Sequence, residues 1–249
     1  MNEIKVDLKR AIYNLPFFLT CTAMVIVIAI GAGRELIFPG DIDIGLSSYY
    51  HGQLIFKALS SDIVLMVVPI LCTLPYTVAF LEEYSSGFIM PYLIKCDKRA
   101  YIKGKVLGAG ISGGLSLATG VLLSYFIAYL VYSPLEVADP TAISPLNVLV
   151  RKTLVYFLCG SLWASLGSLL ANVTLSKYMA YAAPFVIYYV LVFLSERYFH
   201  GIYVINPKEW LAPKEFWIGG DWGIILLLIL LNIIVMLIND VIIEGRIDG

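Results

Sequence analysis

The sequence is poor in charge. Only 14% of its 249 residues are Asp, Glu, Lys or Arg, whereas 60% are apolar and the mean hydropathy is +0.86. A soluble domain carries about 25% charged and 45–50% apolar residues. This chain therefore cannot cover a water-facing surface, and a soluble enzyme is excluded, as are disordered, collagen-like and disulfide-scaffold classes. Seventeen basic residues against eighteen acidic ones give a net charge of −1, which leaves no electrostatic case for a nucleic-acid partner.

Histidine and paired cysteine are also scarce. His51 and His200 are the only histidines, and both fall between apolar stretches. An intramembrane zinc site or a Ser/His dyad would need a histidine inside a span, so neither is expected, and no metal or cofactor is expected. Cys21, Cys72, Cys96 and Cys159 are widely spaced, with no CxxC pair. Three lie in apolar runs and Cys96 in a basic stretch, which suits small apolar side chains better than disulfides or metal ligands. No GxxxxGK[ST] sequence occurs, so the chain does not bind ATP through that motif.

What the sequence does hold is six long runs without a charged residue: Leu15–Gly33, Ile63–Leu81, Val106–Leu135, Thr153–Ser176, Tyr178–Ser195 and Trp222–Asn239. A bilayer core of roughly 30 Å needs about 20 apolar residues per helix. The expected fold is an all-α polytopic membrane protein, a single transmembrane domain over residues 1–249. Its six spans are expected at about 15–33, 63–81, 106–132, 153–174, 178–195 and 222–239. The first run lacks a small-residue cleavage site and is followed by Arg34-Glu35 and more membrane protein, so it reads as a span rather than a cleaved leader.

Basic residues set the orientation. Ten fall on one side of the expected bilayer and seven on the other, and the two densest clusters share the richer side. These are Lys5, Lys9 and Arg10 before the first run, and Lys95, Lys98, Arg99, Lys103 and Lys105 between the second and third. Both termini are therefore expected in the cytoplasm, in a multi-pass protein of the plasma membrane. Ahead of the first span, Ile4, Leu8, Ala11, Ile12 and Leu15 recur at helical intervals among Glu3, Lys5, Asp7, Lys9 and Arg10. Residues 1–14 read as an amphipathic helix lying in the cytoplasmic interface, with Asn14-Leu15-Pro16 as the corner. The alternative is a plain extension of the first helix.

Transporters driven by ion gradients usually carry an ionisable side chain at mid-membrane. The six cores contain none: Arg34, Glu35, Asp62 and Asp240 stand at span edges, and the interiors hold Ser, Thr, Asn172 and Asn232. The asparagines read as helix–helix hydrogen bonds. Any uphill transport would have to draw its energy from elsewhere. Gly104–Gly108 and Gly110–Gly114 form GxxxG pairs for close helix contact. Pro69, Pro75 and Pro184 should bend the second and fifth spans, either as fixed kinks or as hinges.

The expected cytoplasmic loop, residues 82–105, starts with Glu82-Glu83, passes through Gly87 and the apolar Phe88-Ile89-Met90, and re-enters with Lys98-Arg99, Tyr101, Lys103 and Lys105. A solvated positive-inside loop would explain the cations but not the acid pair, the apolar triplet and the glycine together. This pattern resembles the permease subunits of ABC-2 type transporters. In that family the loop has an acid-rich exit, a glycine, a short coupling helix, then a basic residue, an aromatic and a lysine. Glu82, Glu83, Gly87, Arg99, Tyr101 and Lys105 match it position by position. The outline is similar over nearly the whole chain, with an interfacial N-terminal helix, six spans and a longer external segment, Glu196–Asp221, before the last.

The resemblance implies a permease that pairs with a second permease subunit, identical or related, and sits on two separate ABC ATP-binding subunits. A coupling helix around Gly87–Leu93, with Phe88, Ile89 and Met90 as its apolar plug, would fit a groove on the ATPase. Glu82 and Glu83 could pair with basic groups there, although Phe88 and Met90 could also lie in the headgroup layer. The family also implies that the external segment forms short helices dipping toward the membrane. An aromatic interface belt of Tyr198, Phe199, Tyr203, Trp210 and Trp217 explains that segment equally well. Within the family, exporters of amphipathic or hydrophobic cargo such as antimicrobial or toxin peptides are common. A ligand-capturing or sensory six-span subunit is the competing reading. A membrane enzyme is weaker, because no acid–base–nucleophile constellation is visible in the sequence.

Overall fold

The computed structural model describes residues 2–37, 46–94, 96–137, 144–199, 201–214 and 216–248. Lys95 and His200 therefore lie outside the described residues, as does part of the external segment. The described residues are helical, with no strand and a single isolated bridge between Leu46 and Glu136. In chain order the helices are α1 (Asn2–Ile12), α2 (Leu15–Ala32), α3 (Arg34–Ile37), α4 (Tyr50–Leu59), α5 (Asp62–Leu71) and α6 (Ala79–Ser85). They continue with α7 (Ile89–Leu93), α8 (Lys98–Tyr132), α9 (Leu146–Thr174), α10 (Lys177–Arg197), α11 (Pro207–Leu211) and α12 (Asp221–Asp248).

Five of these helices, α2, α8, α9, α10 and α12, are long and apolar enough to cross a membrane. A sixth crossing is reached if α4 and α5, which meet at 66°, count as one broken span. The charged side chains separate into two ends. At one end Glu82 pairs with Lys177, Lys98 with Asp248, and Arg246 donates to the Val173 carbonyl. At the other, Arg151 pairs with Asp221 and Lys208 with Glu196 and Asp62. Between them the outward faces are apolar, with Ile26, Ile30, Phe126, Leu226, Leu230 and Leu237 exposed. Outside water such a surface costs nothing, because lipid is its solvent.

Three boundaries differ from the sequence expectation, for one physical reason. Charges near a span end do not stop a helix, because they reach headgroup depth. So α8 starts at Lys98 rather than near 106, α9 at Leu146 rather than 153, and α12 runs on through Asp240, Glu244 and Arg246 to Asp248.

The second expected span, 63–81, is not one helix. Pro69 and Pro75 withhold backbone donors, and α5 gives way to a turn at residues 72–78 before α6 resumes. Thr73 and Thr77 hydroxyls donate to the Ile70 and Thr73 carbonyls and satisfy part of the opened ladder. The glycines of α8 and α9 make room for this segment. A methyl group on Gly108 would meet the Tyr76 ring at 2.9 Å, one on Gly113 the Cys72 carbonyl at 2.6 Å, and one on Gly167 the Thr73 methyl at 3.1 Å. Gly113 and Gly160 also face each other where α8 and α9 cross. The asparagines bond between helices as expected: Asn172 donates to Asn239 at 2.8 Å, and Asn232 to the Leu158 carbonyl at 2.9 Å.

Candidate functional site

Glu83, Gly87, Ile89, Tyr101 and Lys105 of the expected coupling residues lie where α1, the 72–78 turn, α6, α7 and the start of α8 meet. Asn14 makes the corner between α1 and α2. Its side chain accepts from Phe17 N–H at 2.7 Å, capping α2, and its amide donates to the Pro75 carbonyl at 2.9 Å. This folds α1 back onto α8, where Gly104 lets it approach closely: a methyl there would meet Asp7 Oδ2 at 2.6 Å. Asp7 is 3% exposed and Ala11 fully buried. The amphipathic reading put Asp7 on the polar face of an interfacial helix. Its burial against the protein is a correction, and the reason is an ion pair.

Lys105, also 3% exposed, is the hub. Its Nζ donates to Glu83 Oε1 at 2.7 Å, to Asp7 Oδ1 at 3.0 Å and to the Tyr76 hydroxyl at 3.2 Å. Tyr76 donates to the same Asp7 oxygen at 2.9 Å, and Tyr101 donates to Glu83 Oε2 at 2.8 Å. The ammonium also lies 5.5 Å and 5.3 Å from the Tyr76 and Tyr101 ring centres. Two carboxylates face one buried ammonium, with Arg10 at 3.8 Å from Glu83 as the nearest second cation. Four segments are thereby held by one charge network, which is expensive to open once formed.

Glu83, Tyr101 and Lys105 therefore meet as a unit, and Asp7, Arg10 and Tyr76 complete it. Sequence reading missed these three. Asp7 and Arg10 looked like an ordinary polar face, and Tyr76 looked like part of a continuous apolar span. Both Glu83 oxygens are used within the chain. Glu82 instead faces out and pairs with Lys177 at 2.7 Å. Gly87 ends α6: with φ +71 it lets its own N–H reach the Tyr84 carbonyl at 3.2 Å while Phe88 N–H reaches Glu83 at 3.1 Å. That stop turns the chain into α7. Ile89 packs inward at 5% exposure, while Phe88 and Met90 are 47% and 67% exposed, and Ile94 beyond them is 85% exposed. Arg99 stands apart, beside Lys103, Asp240 and Glu244 around a cavity of about 280 Å³. On α7, burial and the adjoining Cys96 thiol push the Tyr92 phenol up to about 12.

A second polar constellation lies at the opposite end of α8. His51, 3% exposed, bonds Glu136 Oε1 through Nδ1 at 2.7 Å and through its backbone N–H at 2.8 Å. Its Nε2 lies 3.0 Å from the Tyr125 hydroxyl. The consistent assignment has Nδ1–H donating to the carboxylate and Tyr125 donating to Nε2. Glu136 lies 85 residues from His51, so no local motif signals the pair. In the external segment, Trp210 and Trp217 are buried rather than lying in an interface belt. Trp210 stacks on Trp163 at 6.2 Å and donates to the Val204 carbonyl, while Tyr198 stays 69% exposed.

Among the described residues no group of His, Cys, Asp and Glu could hold a metal ion. The chain matches no family model, and no curated protein is significantly similar to it.

Proposed function

We propose that the chain is the transmembrane permease subunit of an ATP-driven transporter of ABC-2 type, an exporter of amphipathic or hydrophobic cargo such as antimicrobial or toxin peptides. It lies in the plasma membrane with both termini cytoplasmic. It pairs with a second permease subunit, and two separate ATP-binding subunits dock on its cytoplasmic end. The observation that carries this reading is an exposed apolar tip on a rigid mount. Phe88, Met90 and Ile94 project from α7, at the end that gathers the densest cations, while Ile89 and the Lys105 network fasten the base. A solvated loop has no use for three exposed apolar side chains, whereas a groove on a partner does.

The network would pass a push on α7 to α1, the 72–78 turn and α8 together. Uncharged span interiors support an outside energy source over ion coupling. Affinity purification of the full chain from its native cells, in mild detergent, tests the docking. An ATP-binding subunit should come with the wild-type chain and be lost with Phe88→Asp/Met90→Asp. Recovery of the permease alone, or equal recovery with both chains, would overturn the assignment.

A further inference from the structure

A cleft of about 350 Å³ opens at the end of the molecule opposite α7, between the first turns of α9 and α12 and the 210–214 segment. Its floor is apolar: Val155, Leu211 and Ile224 are all buried. Trp210 closes one wall and is held by its stack on Trp163. Three cations, Arg151, Lys152 and Lys214, line the opening against a single acid, Asp221. Arg151 takes Asp221 in an ion pair. Glu209, buried behind the rim, accepts the Lys214 backbone N–H at 2.7 Å. Lys152, half-buried in the cleft, makes no hydrogen bond or ion pair among the described residues; the acid whose charge reaches it, Asp221, is already taken by Arg151. Three exposed side chains, Phe216, Ile218 and Trp222, flank this region. Aromatic residues so placed belong at headgroup depth.

We propose that this cleft binds an anionic amphiphile, the phosphate head of a phospholipid on Lys152 and Lys214 with its first methylenes along Val155, Leu211 and Ile224. An unpaired ammonium over an apolar floor attracts a ligand with both parts, since a tailless anion leaves the floor wet and a neutral chain leaves the ammonium unpaired. The site does not depend on the ATPase reading: it would be present in the isolated chain.

Native mass spectrometry of the delipidated full chain in detergent, titrated with phosphatidylglycerol, tests it. One phosphatidylglycerol should be retained in preference to phosphatidylcholine. Lys152→Gln should weaken that binding on the order of tenfold, the scale of one lost charge-assisted bond. Lys152→Arg should largely restore it. Lys57→Gln removes an exposed cation from the same end and should leave binding unchanged, which separates the cleft from general surface charge. Lys214→Gln gives a smaller loss and serves if the Lys152 variant does not fold. Equal binding of phosphatidylcholine, equal loss in the Lys57 variant, or no loss in either cleft variant would overturn the site. Inorganic phosphate binding as tightly as the lipid would overturn the role of the apolar floor.

Discussion

Lys105 Nζ lies 2.7 Å from Glu83 and 3.0 Å from Asp7, residues that reach it from two other helices. Asp7 and the lysine are withdrawn from water and Glu83 is only partly exposed, so this contact ties α1, α6 and α8 together through one ammonium.

Removing the lysine leaves two facing carboxylates without their shared cation. Lys105→Ala should therefore cost about 3–5 kcal/mol of stability, the range for breaking a buried pair from one side. Thermal unfolding in detergent measures it. Lys177→Ala breaks only the exposed pair with Glu82 and should leave the melting temperature unchanged.

Where α8 and α9 cross, there is no space for one added carbon. A Cβ on Gly160 would lie 2.8 Å from the Gly113 carbonyl and 2.7 Å from a Leu117 methyl. Gly160→Ala should destabilise by about 1–3 kcal/mol, as overpacking does. Gly245→Ala, in open space on α12, should be neutral in the same assay.

At the far end of α8, His51→Ala should cost about 1–3 kcal/mol, because Glu136 loses its imidazole donor while remaining largely enclosed. Tyr125→Phe removes only the outer hydroxyl and should cost about 1 kcal/mol. The same melting assay ranks the two.

Cys96 is the only partly exposed cysteine; Cys21, Cys72 and Cys159 are buried. A membrane-impermeant maleimide should leave intact cells unlabelled and label inverted vesicles at Cys96 alone. Labelling from outside the cell would reverse the proposed orientation.

The sequence showed the helical, multi-span character plainly because lipid-facing apolar residues need no partner and so leave long uncharged runs. Packing details were less legible for identifiable reasons. The 50–59 helix carries His51, Gly52, Gln53 and Lys57, so its apolar face is too short to register as a span, and its role emerges only through Glu136. The break at 72–78 depends on prolines, which mark a bend but not how far it unwinds. Asp7 looked like a polar-face residue because periodicity counts it as charged, and nothing local reveals that Lys105 neutralises it 98 residues away. Glu83, Tyr101 and Lys105 stand out in the sequence through the resemblance of their loop to that of ABC-2 permeases, and the fold brings those three side chains together. Arg99 belongs to that order but points to α12 instead.

We propose that α7 passes work between this chain and an ATP-binding partner. The direct measurement is ATP hydrolysis by the co-purified ATP-binding subunit, reconstituted in liposomes with wild-type chain or with Met90→Asp. Wild-type chain should stimulate hydrolysis, and Met90→Asp should abolish the stimulation while its melting temperature stays the same, because Met90 is mostly exposed. Equal stimulation by both chains would contradict the account.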